Sequence, residues 1–292
     1  MSTATPAKWK PNDFKSELKP IWCPGCGDFG VLAALYRSMS ELGCDPAKTV
    51  IVSGIGCSSR LPHFASTYGL HTLHGRPLPF AMGVKLANPE LTVIAVGGDG
   101  DGFAIGAGHF PHAARRNVDI TYLVMDNEIY GLTKGQVSPT SLYDHKAPST
   151  PYGNLEDPLN TLAFAVASGA SFVARGASFN TKALTELISQ AIEHPGFSYI
   201  DALSPCTTFY NTQEEWKQLV TDVAPDHDVT DRVKAFELAL RGGFSLGILY
   251  KQERPTQIQR YEALLERAKP SDVDTMLNAF KARGGVAIGK GV

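Results

Sequence analysis

Apolar residues recur at helical spacing from Phe29 to Leu42, at Val31, Leu32, Leu35, Tyr36, Met39 and Leu42, and stop at Gly43. A short apolar run, Thr49 to Ser53, then reads as a buried strand. The alternation continues with a helix from Phe80 to Ala87, closed by Asn88-Pro89, and a continuous apolar strand from Leu91 to Val96. A helix from Phe103 to Arg116 and a strand from Ile120 to Met125 follow. Beyond a Pro/Ser/Thr-rich loop, Ser138 to Pro158, come a helix Leu159 to Ser168, a strand Ser171 to Ala174, a helix Thr181 to Glu193 and a strand Ser198 to Leu203. Strands that are apolar throughout and separated by helices need cover on both faces. The pattern predicts an α/β fold with a doubly wound, mostly parallel sheet and helices on both faces. No internal repeat is visible.

The ends read differently. Pro6, Pro11 and Pro20 stand among polar residues, so residues 1–20 read as an N-terminal arm. From Thr212 the chain is more polar and helical in pieces, Arg260 to Ala268 and Val273 to Ala282, and ends in a glycine-rich tail. The expected division is an arm (1–20), an α/β body (21–211) and a C-terminal helical arm (212–292), with an independent small lobe as the alternative for the last.

A chain of 292 residues that is 43% hydrophobic can bury one large core. Its formal net charge of −2 gives no basic footprint for nucleic acid and no pull toward a membrane surface. The most apolar stretch, Leu162 to Ala174, is broken by Ser168 and Gly169 and is too short to span a bilayer. Met1 to Pro20 carries no charged-then-apolar leader, so a cytoplasmic protein is expected. Five cysteines are too few for a disulfide scaffold, and in a reducing compartment clustered cysteines bind metal or do redox work.

Candidate chemistry begins after the strand Leu91 to Val96, with Gly97-Gly98-Asp99-Gly100-Asp101-Gly102. The next strand ends in Asp126-Asn127-Glu128-Ile129-Tyr130-Gly131. Both clusters fall at carboxyl ends of neighbouring strands, where open α/β sheets bind ligands. Glycines let a backbone approach phosphate closely, and the start of the following helix offers aligned N–H donors. Magnesium takes about six hard oxygens, which the Asp99 carboxylate, the Asn127 carbonyl and a backbone carbonyl could help to supply. Asp99 and Asn127 are 28 residues apart, one strand–helix–strand unit, and together they read as a diphosphate and magnesium site.

Cys23 and Cys26 (Trp-Cys-Pro-Gly-Cys-Gly), Cys57 (Gly-Ile-Gly-Cys-Ser-Ser-Arg) and Cys206 (Leu-Ser-Pro-Cys-Thr-Thr) form a second group. A Cys-X-X-Cys pair can be a redox couple, but no strand precedes this one. Tetrahedral thiolate sites suit both zinc and iron–sulfur clusters, and the residues alone leave that choice open. Cys44, His63, His71, His109 and His112 read as structural, as does Glu128.

These residues resemble a known family. Gly98-Asp99-Gly100 with Asn127 is similar to the thiamine diphosphate motif. Cys23-Pro-Gly-Cys26-Gly, Gly56-Cys57-Ser58-Ser59-Arg60, His74-Gly75-Arg76 and the run from Tyr130 to Gln136 resemble the β subunit of 2-oxoacid:ferredoxin oxidoreductases. The likeness runs from Trp22 to about Cys206, and departs at Thr207, where a second proline often follows the last cysteine. It implies the thiamine diphosphate-binding fold and a [4Fe-4S] cluster on Cys23, Cys26, Cys57 and Cys206, with magnesium on Asp99, Asn127 and the Ile129 carbonyl. It implies coenzyme contacts at Ile55, Gly56, Cys57, Ser58, His74, Gly75, Arg76, Gly100, Asp101, Gly131 and Leu132. Arg60 and Leu132 resemble positions that face the substrate, and guanidinium forks at Arg60 and Arg76 match anionic oxygens.

The implied activity is CoA-dependent oxidative decarboxylation of a 2-oxoacid, with 2-oxoglutarate preferred, and electrons passing through the cluster to ferredoxin. The reverse carboxylation is open in principle. The family's α subunit would supply the carboxylate that activates the coenzyme, so this chain is expected to work only with it. Two other readings stand beside this one: a thiamine diphosphate-dependent decarboxylase or carboligase with no redox step, and a zinc-stabilised α/β binding subunit.

Overall fold

Each apolar run becomes a strand buried by its neighbours. A computed structural model describes residues 9–268 and 273–282, in two units, 1–257 and 258–292. The first unit holds an eight-stranded sheet. Its strands are Thr49–Ser53 (β1), Tyr68–His71 (β2), Thr92–Gly98 (β3), Ile120–Asp126 (β4), Phe172–Ala177 (β7), Phe197–Leu203 (β8), Val220–Asp222 (β9) and Phe244–Lys251 (β10). Ile129–Tyr130 (β5) and Gln136–Val137 (β6) form a separate small hairpin. The sheet order is β2-β1-β3-β4-β8-β7-β10-β9, parallel except where β10 pairs with β7. This is the mostly parallel α/β architecture that the pattern predicts.

Alternate residues of one strand feed two cores. Val93 and Ala95 face one cluster with Tyr122, Val124 and Phe110, while Ile94 and Val96 face the other with Leu123 and Met125. Helices Asp28–Glu41 (α1) and Thr181–Glu193 (α7) bury Leu35, Met39, Leu184 and Ile188 on one side, joined there by Leu61 and Phe64 of the short Leu61–Phe64 (α2). Pro77–Ala87 (α3), Phe110–Arg116 (α5) and Thr161–Ser168 (α6) cover the other. Each large apolar side chain so buried contributes roughly 1.5–3 kcal/mol. Helix ends follow local chemistry: the Asn160 side chain accepts from Ala163 N at 2.9 Å to start α6, and Gly169, at φ +85, ends it.

Three expectations change. The helix from Phe103 to Arg116 is broken into Asp99–Phe103 (α4), a 3₁₀ turn Ile105–Gly108 and α5. Gly106 presses so closely on the Asp101 carbonyl that a Cβ would lie 2.4 Å from it, and Pro111 opens a new helix. Strand β2, Tyr68-Gly69-Leu70-His71, is exposed at every position and alternates over only four residues, too short a run for the pattern to register. The segment from Thr212 is also more than a helical arm. Besides Gln213–Leu219 (α8) and Arg232–Leu240 (α9), it supplies β9 and β10, whose half-buried residues and Gly247 blur the strand signal.

Residues 9–20 pack on the body: Phe14 is fully buried, and Ser66 N donates to the Phe14 carbonyl at 2.8 Å. The rest of that arm and the glycine-rich tail lie outside the described residues. The second unit contains the helix Val273–Ala282 and nearly all of Gln257–Arg267, both close to their expected bounds. Among the described residues no helix is long and apolar enough to cross a membrane.

Candidate active site

The carboxyl ends of β1, β3 and β4 open into a cavity of about 540 Å³. Residues 55–58, His74, residues 98–101, Asn127 and residues 129–133 line it, so most of the positions singled out by sequence meet there. Gly75 and Arg76 stand behind the wall. Gly75 N donates to Asp101, and Arg76 sits against His109 Nε2. Arg60 lies in a neighbouring recess of about 360 Å³ with Lys19, Ile21, His63, Phe64 and His71. None of these neighbours offers it a carboxylate, and the crowded positive charge, with burial as the larger cause, lowers the pKa of His71.

Asp99 is 1% exposed. Its Oδ2 accepts from Ser138 Oγ at 2.5 Å and Thr140 Oγ1 at 2.7 Å, while Oδ1 faces Asn127 N at 3.5 Å. Burial pushes its pKa up to about 6, although these donors pull the other way. Asn127 Oδ1 accepts from Ile129 N at 3.1 Å, a tight turn at the end of β4 that keeps both residues at the cavity. Gly100 lies under the Tyr130 ring, where a Cβ would sit 2.2 Å from a ring carbon. Only glycine lets those two segments close the cavity floor.

Sequence reasoning misses the carboxylates behind Asp99. Asp126 and Glu128 are buried, and Glu128 takes φ +59 with Oε2 lacking a hydrogen-bond partner among the described residues. Burial, then the Asp99 charge, lifts Glu128 to about 8. A group raised from 4.5 favours the folded state fully only below pH 4.5, and that benefit is lost as the pH climbs to about 8. Glu128→Gln is therefore expected to raise the melting temperature of the isolated chain at pH 8 and to change it little at pH 4.5. A gain of roughly a few kcal/mol is the ceiling. Equal shifts at both values would show that Glu128 is not carrying the buried charge. The hydroxyls that brace Asp99, Ser138 and Thr140, had a visible signal in Ser138-Pro-Thr140-Ser141, but as loop composition only.

The cysteines converge through stapled loops. Trp22 Nε1 donates to the Cys57 carbonyl at 2.7 Å, and Gly27 N to the Pro205 carbonyl at 3.1 Å. Gly27 passes so near that a Cβ would stand 2.6 Å from Ser204 Cα. Thr207, the departure from the family pattern, donates its hydroxyl to the Pro24 carbonyl at 2.9 Å, which a proline could not do. Sulfur positions agree: a Cβ on Gly131 would lie 3.7 Å from both Cys57 Sγ and Cys206 Sγ, so these two sulfurs are within twice that distance. Burial and the neighbouring Asp28 charge push the Cys57 thiol up to about 11 and Cys26 higher still, with the other thiols adding to both. Cys23 is exposed. Cys44 is apart from the group, half-buried, its thiol raised by burial to about 11.

Comparison with known proteins agrees with this geometry. Residues 54–202 match the family described as thiamine pyrophosphate enzyme, C-terminal TPP binding domain. Residues 206–266 match the family of C-terminal segments of pyruvate ferredoxin oxidoreductase beta subunits. The chain is 43% identical over 273 residues to the 2-oxoacid:ferredoxin oxidoreductase 1 subunit beta of Aeropyrum pernix, covering 88% of this chain and 85% of that one. It is 37% identical to the 2-oxoglutarate synthase subunit KorB of Methanothermobacter marburgensis, covering 91% and 95%. A solved 2-oxoglutarate:ferredoxin oxidoreductase from Magnetococcus marinus, with 2-oxoglutarate, coenzyme A and succinyl-CoA bound, superposes with a TM-score of 0.89. It is 46% identical, with 93% of this chain and 96% of that chain covered. With the cavity at the strand ends and the sulfurs gathered beside it, these matches show that the chain belongs to the β subunits of the 2-oxoacid:ferredoxin oxidoreductases.

Proposed function

We propose that the chain is the thiamine diphosphate-, magnesium- and [4Fe-4S]-bearing subunit of a cytoplasmic enzyme that converts 2-oxoglutarate and CoA to an acyl-CoA and carbon dioxide, with ferredoxin as electron acceptor. The observation that carries this reading is Gly131, which lines the cavity and lies against the sulfurs of Cys57 and Cys206. Electron source and acceptor would then be separated by little more than one residue's backbone. The preference for 2-oxoglutarate draws on the names of the Methanothermobacter relative and the Magnetococcus structure.

The donor sets suit the groups. Asp99, Asn127 and the Ile129 carbonyl offer the hard oxygens that magnesium requires. Cys23, Cys26, Cys57 and Cys206 offer the four thiolates of an iron–sulfur site. Among the described residues, no three His, Cys, Asp or Glu side chains close around a single ion. Thiamine diphosphate, when bound, supplies the carbon nucleophile, and the cluster supplies the one-electron acceptor.

The chain's own residues do the rest. Residues 55–58, His74, Gly100, Gly131 and Leu132, which line the cavity, would contact and orient the coenzyme, while Tyr130 and Val137 would screen it from water. Arg60, with no carboxylate in its recess, is the assigned clamp for a substrate carboxylate. A 2-oxoacid anion and a CoA thiol give acyl-CoA, carbon dioxide, one proton and two electrons, which leave singly to ferredoxin. Because the coenzyme-activating carboxylate belongs to the α subunit in this reading, the β chain alone is inactive.

The test is anaerobic co-expression with the α subunit. The complex should hold about four iron and four sulfide per β chain and turn over 2-oxoglutarate faster than pyruvate, strictly with CoA and ferredoxin, while β alone does nothing. Iron-free, coenzyme-dependent decarboxylation would replace the reading with the non-redox enzyme class. One zinc per chain without coenzyme binding would replace it with the zinc-stabilised binding protein.

A further inference from the structure

The family resemblance puts Asp101 among the coenzyme contacts, yet its carboxylate is turned onto protein. Oδ1 accepts from Ile55 N at 2.8 Å and from Gly75 N at 2.7 Å, and stands 3.3 Å from His74 Nδ1. Those donors belong to two separate loops, one leaving β1 and the other leaving β2. Asp101 itself follows β3, so one oxygen ties together the exits of three neighbouring strands. The residue is 2% exposed, and just ahead of both loops the Thr72 hydroxyl donates to the Ser53 carbonyl at 2.7 Å, so the latch closes a seam that begins at the strand ends.

The slot closes tightly around the side chain's second oxygen. A Cβ on Gly54 would lie 2.0 Å from Oδ2, and one on Gly97 would lie 2.8 Å from it. Gly75, at φ +70, is pressed so closely on the next segment that a Cβ would meet Ile105 at 2.4 Å and Gly106 N at 2.7 Å. Both loops are therefore held against the 99–106 segment, which also carries Asp99. Charge-assisted bonds from two backbone N–H groups to one buried carboxylate are short and directional.

We propose that Asp101 is a positioning residue: its carboxylate latches the 54–58 and 74–76 loops so that their backbone and the His74 ring present one preformed face to the cavity. Asp101 lines the cavity, but its carboxylate governs coenzyme affinity through the loops it holds and not through a bond to the coenzyme. The inference rests on the cavity being the thiamine diphosphate site.

The experiment uses the α–β complex and three variants, Asp101→Ala, Asp101→Asn and Gly54→Ala. The measurements are calorimetric thiamine diphosphate binding in magnesium, iron content, and amide hydrogen exchange at Ile55 and Gly75. Asp101→Ala should weaken coenzyme binding about tenfold or more, in the range seen when outer supporting groups are removed. It should also speed exchange at both amides and leave iron content unchanged. Asp101→Asn, whose amide oxygen still accepts both N–H groups, should recover most of the affinity. Gly54→Ala should reproduce the loss with Asp101 intact, because its methyl expels the carboxylate. Wild-type coenzyme affinity in Asp101→Ala, or slow exchange at both amides there, overturns the proposal. So does an Asp101→Asn variant as weak as the alanine, which would mean that the charge meets the ligand directly. A wild-type complex that binds no thiamine diphosphate overturns the site reading instead, and the exchange data still report on the latch.

Discussion

Asp99→Ala is expected to lower magnesium-dependent thiamine diphosphate affinity on the order of a hundredfold or more, a loss of about 3 kcal/mol. The side chain is the most committed in the site: buried, and tethered by two hydroxyls and a backbone N–H. A second effect should run the other way. With its pKa raised by burial from 3.8 to about 6, the unmetallated carboxylate costs folding stability once the pH passes through that interval. The stability of the isolated Asp99→Ala chain relative to wild type should therefore be more favourable at about pH 7 than at about pH 4, where the lost hydrogen bonds dominate, while it binds far less coenzyme. Calorimetry gives the affinity and a pair of thermal melts gives the stability. Unchanged affinity would remove Asp99 from the magnesium site.

Cys206→Ser should abolish the iron–sulfur chromophore and all ferredoxin-linked turnover, while thiamine diphosphate binding survives within a few-fold. The two functions separate because Cys206 approaches the cavity only from behind Gly131, whereas Cys57 is part of its lining. Cys57→Ser should damage both. Iron analysis, visible absorbance and coenzyme titration on the same preparations make the comparison. A brown, iron-replete Cys206→Ser complex would exclude Cys206 as a ligand, and equal coenzyme binding by wild type and Cys57→Ser would place the cofactor elsewhere.

How much of the molecule is legible in its sequence depends on the kind of signal. Runs such as Leu91 to Val96 and Ile120 to Met125 are apolar because both faces of their strands are covered, so they are readable one segment at a time. Strand β2 is exposed at every position, and β10 is only partly buried; each is a strand because of its partner, and pairing is not written in local composition. Residue-type motifs found the cavity. They could not say that Arg60 faces a different recess, that Asp101 bonds backbone, or that Glu128 is buried in a left-handed turn. Orientation comes from three-dimensional crowding. Ser138 and Thr140 show the same limit, since a hydroxyl in a loop acquires meaning only when the loop folds over a carboxylate.

Those two hydroxyls have an implication for how the protein matures. Both grip Oδ2 and leave Oδ1 facing Asn127 N at 3.5 Å, so a divalent ion arriving on Oδ1 would meet a carboxylate already fixed in place, with no loose loop to order.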